Sequence, residues 1–152
     1  MSIIVGKSDA TEFVNALRRV VTYAVKDARR DAAAIVLPDM VAGAQAGYAP
    51  SGEPYVPYKP KYALFRQKHG LQTGHVDLTF DDEMLRNLAY REREFAIRTS
   101  SDREGALRGH QYGNPGKGLA KREVLGASAE TIQKVEAVLS RKVMEAVHGN
   151  AA

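Results

Sequence analysis

Four histidines, His69, His75, His110 and His148, are the side chains best suited to metal binding or proton transfer near neutral pH. Their spacing matches no metal-ligand pattern: no HExxH is present, and a chain without cysteine offers no thiolate partner. The lack of cysteine also removes thiol nucleophiles, iron–sulfur clusters and disulfide frameworks. No serine sits in a GxSxG elbow. The acidic run Asp81-Asp82-Glu83 has the charge for acid–base or divalent-cation work, but consecutive residues of an extended chain point to opposite faces, so a solvated turn is expected. Gly113-Asn114-Pro115-Gly116-Lys117-Gly118 contains the residue types of a phosphate-binding loop at the wrong spacing. Gln111 stands where that motif needs glycine, and Gly118 where it needs Ser or Thr. The chain therefore reads as a non-enzyme, with no catalytic residues, no cofactor and no metal.

The elements that carry these residues belong to a chain of 152 residues, 44% apolar and 26% charged, enough for one domain whose core needs no disulfide or metal. Its longest apolar run, Ala32 to Leu37, is far short of the roughly 20 residues of a membrane span. Lys7 interrupts the opening segment before a signal-peptide core could form. These features lead to the expectation of an intracellular, or intracellularly assembled, protein with no membrane partner. The net charge of +4 is mild for a nucleic-acid binder, so its distribution matters more than its size. Residues 48–74 carry four basic groups and one acidic group, which makes this middle segment the most positive part of the chain.

Residues 1–7 suit an N-terminal arm or short strand. Asp9, with Glu12 three residues on, has the spacing of a capping box and opens a helix over 9–37. Phe13, Leu17, Val20, Ala24, Ala28 and Ile35 form its apolar stripe, and Pro38 disfavours helix at Leu37. Residues 40–70 read as an extended strap and a short helix. Residues 48–62 of it hold Pro50, Pro54, Pro57 and Pro60 together with Tyr48, Tyr55, Tyr58 and Tyr62. Such a strap is either a loop clamped by its tyrosines or an arm that docks on a neighbouring subunit. Over 75–126 the spacing predicts a long antiparallel hairpin followed by loops. Val76, Leu78 and Phe80 alternate with polar residues, Phe95 and Ile97 make a second run, and the turn falls near Asn87–Arg91. Ser101 or Asp102 is placed to cap a short helix toward Gln111. Ser128 caps a final helix over 128–147 with the face Ile132, Val135, Leu139, Val143 and Val147. The fold class is α+β: a long N-terminal helix and a C-terminal helix packed on a small antiparallel sheet, with a long Pro/Tyr-rich loop.

The order of short elements is informative beyond any one of them. Gly52-Glu53-Pro54-Tyr55-Val56-Pro57-Tyr58 is followed by Leu71-Gln72-Thr73-Gly74, then by His110-Gln111-Tyr112-Gly113, then by Arg122-Glu123-Val124-Leu125-Gly126. This series resembles the tail-completion and head–tail joining (neck) proteins of tailed bacteriophages, the virion morphogenesis group. Those proteins show a G-x-P-W-x-P-like strap, an L-x-x-T-G element, an H-Q-F-G element and an R-P-F-L-G element before the last helix. The motif positions carried over are Thr73, Gly74, His110, Gln111, Gly113, Arg122, Leu125 and Gly126. Tyr55 stands for the family's tryptophan, and Glu123 departs from its proline.

The resemblance implies a structural virion protein in the neck, at the head–tail junction, assembled in the host cytoplasm. Its partners would be itself, as a six- or twelve-fold cyclic homo-oligomer, and a portal adaptor or stopper on one side. On the other side lie tail terminator or tail tube proteins, and double-stranded DNA makes transient non-specific contact. Tyr48, Pro54, Tyr55, Pro57, Tyr58 and Tyr62 are the candidate intersubunit or strap contacts. Arg18, Arg19, Lys26, Arg29, Arg30, Lys59, Lys61, Arg66 and Lys68 are the candidate channel-lining or ion-pair residues. The alternative is a small basic nucleic-acid-binding module, which the basic helix face favours and the interleaved Asp27 and Asp31 oppose.

Overall fold

Alanine and straight-chain residues fill the first third of the chain, and they sustain one helix, α1 (Lys7–Ala46), of 40 residues. The computed structural model describes residues 7–79, 83–94 and 96–149. Residues 1–6, expected as an arm or strand, lie outside the described residues; Lys7 already belongs to α1. Asp9 and Glu12 are therefore inside the helix and not at a cap. The expected stop at Leu37 is also corrected, because α1 runs through Pro38. A proline there forfeits the bond to the Ala34 carbonyl, a loss of about 3 kcal/mol. Burial of Met40 and Ala44, with Val41 packed against them, outweighs it. Gly47 ends the helix at φ 91°, where an added Cβ would press on the Val76 carbonyl at 3.0 Å.

The last helix, α5, follows α2 (Pro60–Lys68), α3 (Glu83–Arg86), β1 (Ala89–Arg91), β2 (Ala96–Arg98), α4 (Glu104–Tyr112) and a 3-10 turn (Pro115–Lys117). It spans Ala129–His148 and starts as expected, with Ser128 Oγ accepting the Thr131 amide at 3.2 Å. Asp39 Oδ2 accepts the Ser128 amide, also at 3.2 Å, and Lys142 pairs with Asp31 at 3.2 Å. Those two ties make α5 antiparallel to α1. Its buried face is Thr131, with Val135, Val138, Leu139 and Val143 half-buried behind it, whereas Ile132 and Val147 are exposed. The expected stripe is thus rotated by the requirement to seat Thr131 on Asp39.

The expected long hairpin is replaced by a short one. β1 and β2 pair antiparallel, with Ala89 opposite Arg98, Tyr90 opposite Ile97 and Arg91 opposite Ala96. Of the residues expected at the turn, Ala89 to Arg91 are therefore strand, and the hairpin turn lies beyond Arg91. Phe80 and Phe95 fall outside the described residues. Val76 to Thr79 is not a strand, because Val76, Asp77 and Leu78 are all buried and no solvent face exists for the polar members. Leu78 adopts φ 53°, which breaks strand geometry outright. α3 instead drives Met84 and Leu85 into the core, beside Leu88, Leu107 and Val124. At α4 the N-cap is Arg103 with no side-chain cap bond, so neither Ser101 nor Asp102 plays that part. The Ser100 carbonyl takes the Arg103 and Glu104 amides in their place. The molecule is α+β, with long N- and C-terminal helices, a small two-stranded antiparallel sheet and a Pro/Tyr-rich strap.

Candidate functional site

The strap begins where Gly47 turns the chain out of α1. Ala49 N donates to the Glu53 carbonyl at 2.8 Å and Tyr55 N to the Gly47 carbonyl at 2.7 Å, closing a small loop with Gly52 at φ 85°. Beyond Tyr55 the prolines keep the chain extended until Pro60, whose missing N–H costs nothing in the first turn of α2. Two arginines then pin the strap down. Arg122 Nε and Nη2 donate to the Val56 carbonyl at 3.1 and 3.0 Å, and Nη2 also reaches the Pro57 carbonyl at 3.4 Å. Arg66, 1% exposed, donates to Asp77 at 2.9 and 3.1 Å and to the Gln72 carbonyl at 3.1 Å; it also bonds the Thr79 carbonyl. Both guanidiniums approach the Tyr58 ring, at 4.7 Å for Arg66 and 5.5 Å for Arg122.

The tyrosines divide into two sets. Tyr55 is buried and donates to the Glu123 carbonyl at 2.7 Å, and Tyr58 donates to Asp77 Oδ1 at 3.1 Å. Burial pushes both phenols up to about 12, with the Asp77 carboxylate adding to the effect at Tyr58. Both stay protonated donors. Asp77 is held below the usual carboxylate range: burial opposes ionisation, but bonds from Gln72 and Thr79 and the Arg66 charge outweigh it. Tyr48 and Tyr62, with Pro54 and Pro57, remain exposed. The ring of Tyr62 meets Tyr58 edge-on at 5.1 Å and stacks on Phe65 at 5.9 Å, and Phe65 lies 4.2 Å from His69. One strap tyrosine set clamps the loop to its own chain, and the other faces outward.

The later elements lock onto this strap. Gln111 Oε1 accepts the Val124 and Leu125 amides at 2.9 and 2.8 Å, and the Arg122 amide donates to the His110 carbonyl at 2.7 Å. Gly113 turns at φ 73° with Lys121 backbone 3.1 Å from where a Cβ would stand, and Gly126 faces Pro50 in the same way at 2.8 Å. Thr73 and Gly74 form an exposed turn, closed by Gln72 Nε2 donating to the His75 carbonyl at 2.9 Å. Strap, α4, the 3-10 turn Pro115–Lys117 and the 119–122 segment enclose a cavity of about 500 Å3. Lys59, Arg66, Arg103, His110, Lys117 and Arg122 line it, and no carboxylate does so among the described residues. Burial and the neighbouring Arg122 lower the His110 pKa to about 4, so its imidazole is neutral at pH 7.

Other residues singled out from sequence lie apart. Lys26 and Arg30 share Glu92 Oε1 at 3.2 and 3.1 Å, while Arg18, Arg19 and Arg29 are exposed on α1. Lys61 and Lys68 are exposed on α2, whereas Arg66 is buried and makes an ion pair with Asp77. His69, His75 and His148 each bond a backbone carbonyl, of Phe65, Gln45 and Met144 respectively. Sequence reasoning missed Asp77, read as the solvent side of a strand, and Arg103, which pairs with Glu83. It also set Lys117 aside once the phosphate-loop motif failed. The available signal for Lys117 was its tight turn, where Asn114 Oδ1 accepts the Lys117 amide at 3.2 Å. Comparison with protein-family models, with curated proteins and with solved structures gave no match to this chain.

Proposed function

We propose that this protein is a structural component of a phage virion, a closed homo-oligomeric ring of six or twelve copies in the neck. The ring joins the head connector to the tail and surrounds the DNA channel, between a portal adaptor or stopper and the tail terminator or tube. The observation that carries this reading is the convergence of the segments behind the resemblance. Tyr55 binds Glu123, Arg122 binds Val56, and Gln111 binds Val124 and Leu125, although strap and last element are separated by more than sixty residues. Side chains at motif positions thus serve to brace a scaffold, which is what an adaptor whose work is done by its surfaces requires. The exposed apolar side chains of Val56, Tyr62, Leu64 and Phe65 on strap and α2 supply a face for a neighbouring subunit.

The basic face of α1 supports the nucleic-acid alternative less well, because Glu92 neutralises part of the charge on Lys26 and Arg30. Light scattering on a sizing column over a range of concentrations tests the proposal. A discrete mass of six or twelve subunits is expected, and negative-stain images then count them. A monomer at every concentration that binds duplex DNA with a steep salt dependence would replace the ring with the nucleic-acid module.

A further inference from the structure

We propose that the cavity between the strap, α4 and the 3-10 turn binds a small phosphate monoester with an apolar body, anchored by Arg122 and met at the surface by Lys59 and Lys117. The inference stands independently of the neck reading. Arg122 is 6% exposed, yet no carboxylate among the described residues pairs with it. Among the described residues its guanidinium donors meet only the Val56 and Pro57 carbonyls, and its remaining charge faces the Tyr58 ring and the cavity. A buried cation without a counter-charge is unfavourable, and an entering anion removes that penalty. The two other arginines of the same wall are already matched, Arg66 by Asp77 and Arg103 by Glu83.

Two further groups point to the same ligand. His110 lines this wall, and its Nδ1 is buried with no hydrogen-bond partner among the described residues, an unsatisfied polar atom beside the cavity. Lys59 Nζ lies over Gly118, 2.5 Å from where a Cβ there would stand, so the glycine keeps room for the lysine at the edge of the cavity. Arg122, Lys59 and Lys117 together suit a doubly charged head better than a single carboxylate. At about 500 Å3 the cavity is far larger than an oxyanion and has the size of a small-molecule site. Leu78, Met84 and Leu119 supply the apolar wall for the body of such a molecule.

The test titrates the full chain with phenyl phosphate, with inorganic phosphate and with phenol, by calorimetry and by amide NMR spectra. Saturable one-site binding of phenyl phosphate, tighter than either part alone, with shifts at His110, Lys117 and Gly118, is expected. Because R122Q removes a strap clamp and has its own folding cost, the double variant K59Q/K117Q is the deciding one. It should keep the melting temperature and weaken binding about tenfold or more, a loss of at least ~1.4 kcal/mol. No saturation by about 10 mM would overturn the proposal, as would unchanged affinity in K59Q/K117Q. Equal affinity for inorganic phosphate would overturn the organic body.

Discussion

Arg66 and Arg122 sit in one cavity wall, clamp one strap and carry one charge each, but among the described residues only Arg66 has a carboxylate paired with it. Removing that carboxylate leaves a buried cation, so Asp77→Asn should cost about 3–5 kcal/mol in a urea unfolding experiment. A loss under about 1 kcal/mol would show that the Gln72 and Thr79 carbonyls alone satisfy Arg66. His110 carries a pH dependence of definite sign. Its pKa falls from 6.5 to about 4 on folding, so between those values the unfolded chain binds a proton that the folded chain refuses. Stability should therefore drop as pH is lowered through that window, by about 1–3 kcal/mol from this group. His110→Gln should flatten that part of the profile when unfolding midpoints are compared across the same range. An unchanged slope would place the acid sensitivity of that window elsewhere; Asp77, held below the usual carboxylate range, acts only at lower pH.

Among the elements, α1 shows how a strong local signal loses to packing. Pro38 is exposed and lacks the N–H that would bond Ala34, while Met40 and Ala44 beyond it are buried. Pro38→Ala restores the backbone bond at no packing cost and should stabilise the protein by about 1–3 kcal/mol, read as a shift in urea midpoint. A neutral or destabilising result would show that the proline sets a bend the core requires. The helical periodicity of α1 and α5 and the cap at Ser128 were legible in the sequence, because they rest on neighbours three or four residues apart. The hairpin was legible only as a strand near Ile97. Alternation over Val76 to Leu78 mimicked a strand, but Arg66 takes both the Asp77 side chain and the Thr79 carbonyl, and that partner is unreadable from local pattern.

Across the whole molecule, the outward face of the strap and α2 is the feature that the monomer leaves unexplained. Leu64 is 59% and Phe65 42% exposed, Tyr62 stacks on Phe65, and Val56 on the strap is exposed as well. If this face joins subunits, L64E and F65E should abolish the ring mass in light scattering while leaving the melting temperature within a few degrees of the parent. A ring that survives both changes would move the contact to another exposed apolar group, such as Tyr23 on α1 or Met144 on α5. The cavity shares Val56 and Tyr62 with that face, but its lysines and Arg122 do not belong to it, so L64E and F65E leave its charged groups in place.

By itself the sequence determined the α+β class, the two long helices, the Pro/Tyr strap, the Ser128 cap and the absence of a phosphate-loop motif. Each of these follows from residue types and short-range spacing, which sterics and hydrogen bonding act on directly. The tertiary structure decided the rest: that α1 passes Pro38, that Tyr55 and Tyr58 turn inward while Tyr62 faces out, and that Arg122 is buried with no carboxylate paired to it among the described residues. Those outcomes depend on pairs such as Tyr55 with Glu123, 68 residues apart, and on which partner a buried charge finds when the core closes. No local pattern encodes that choice, because burial and charge pairing are properties of the assembled chain.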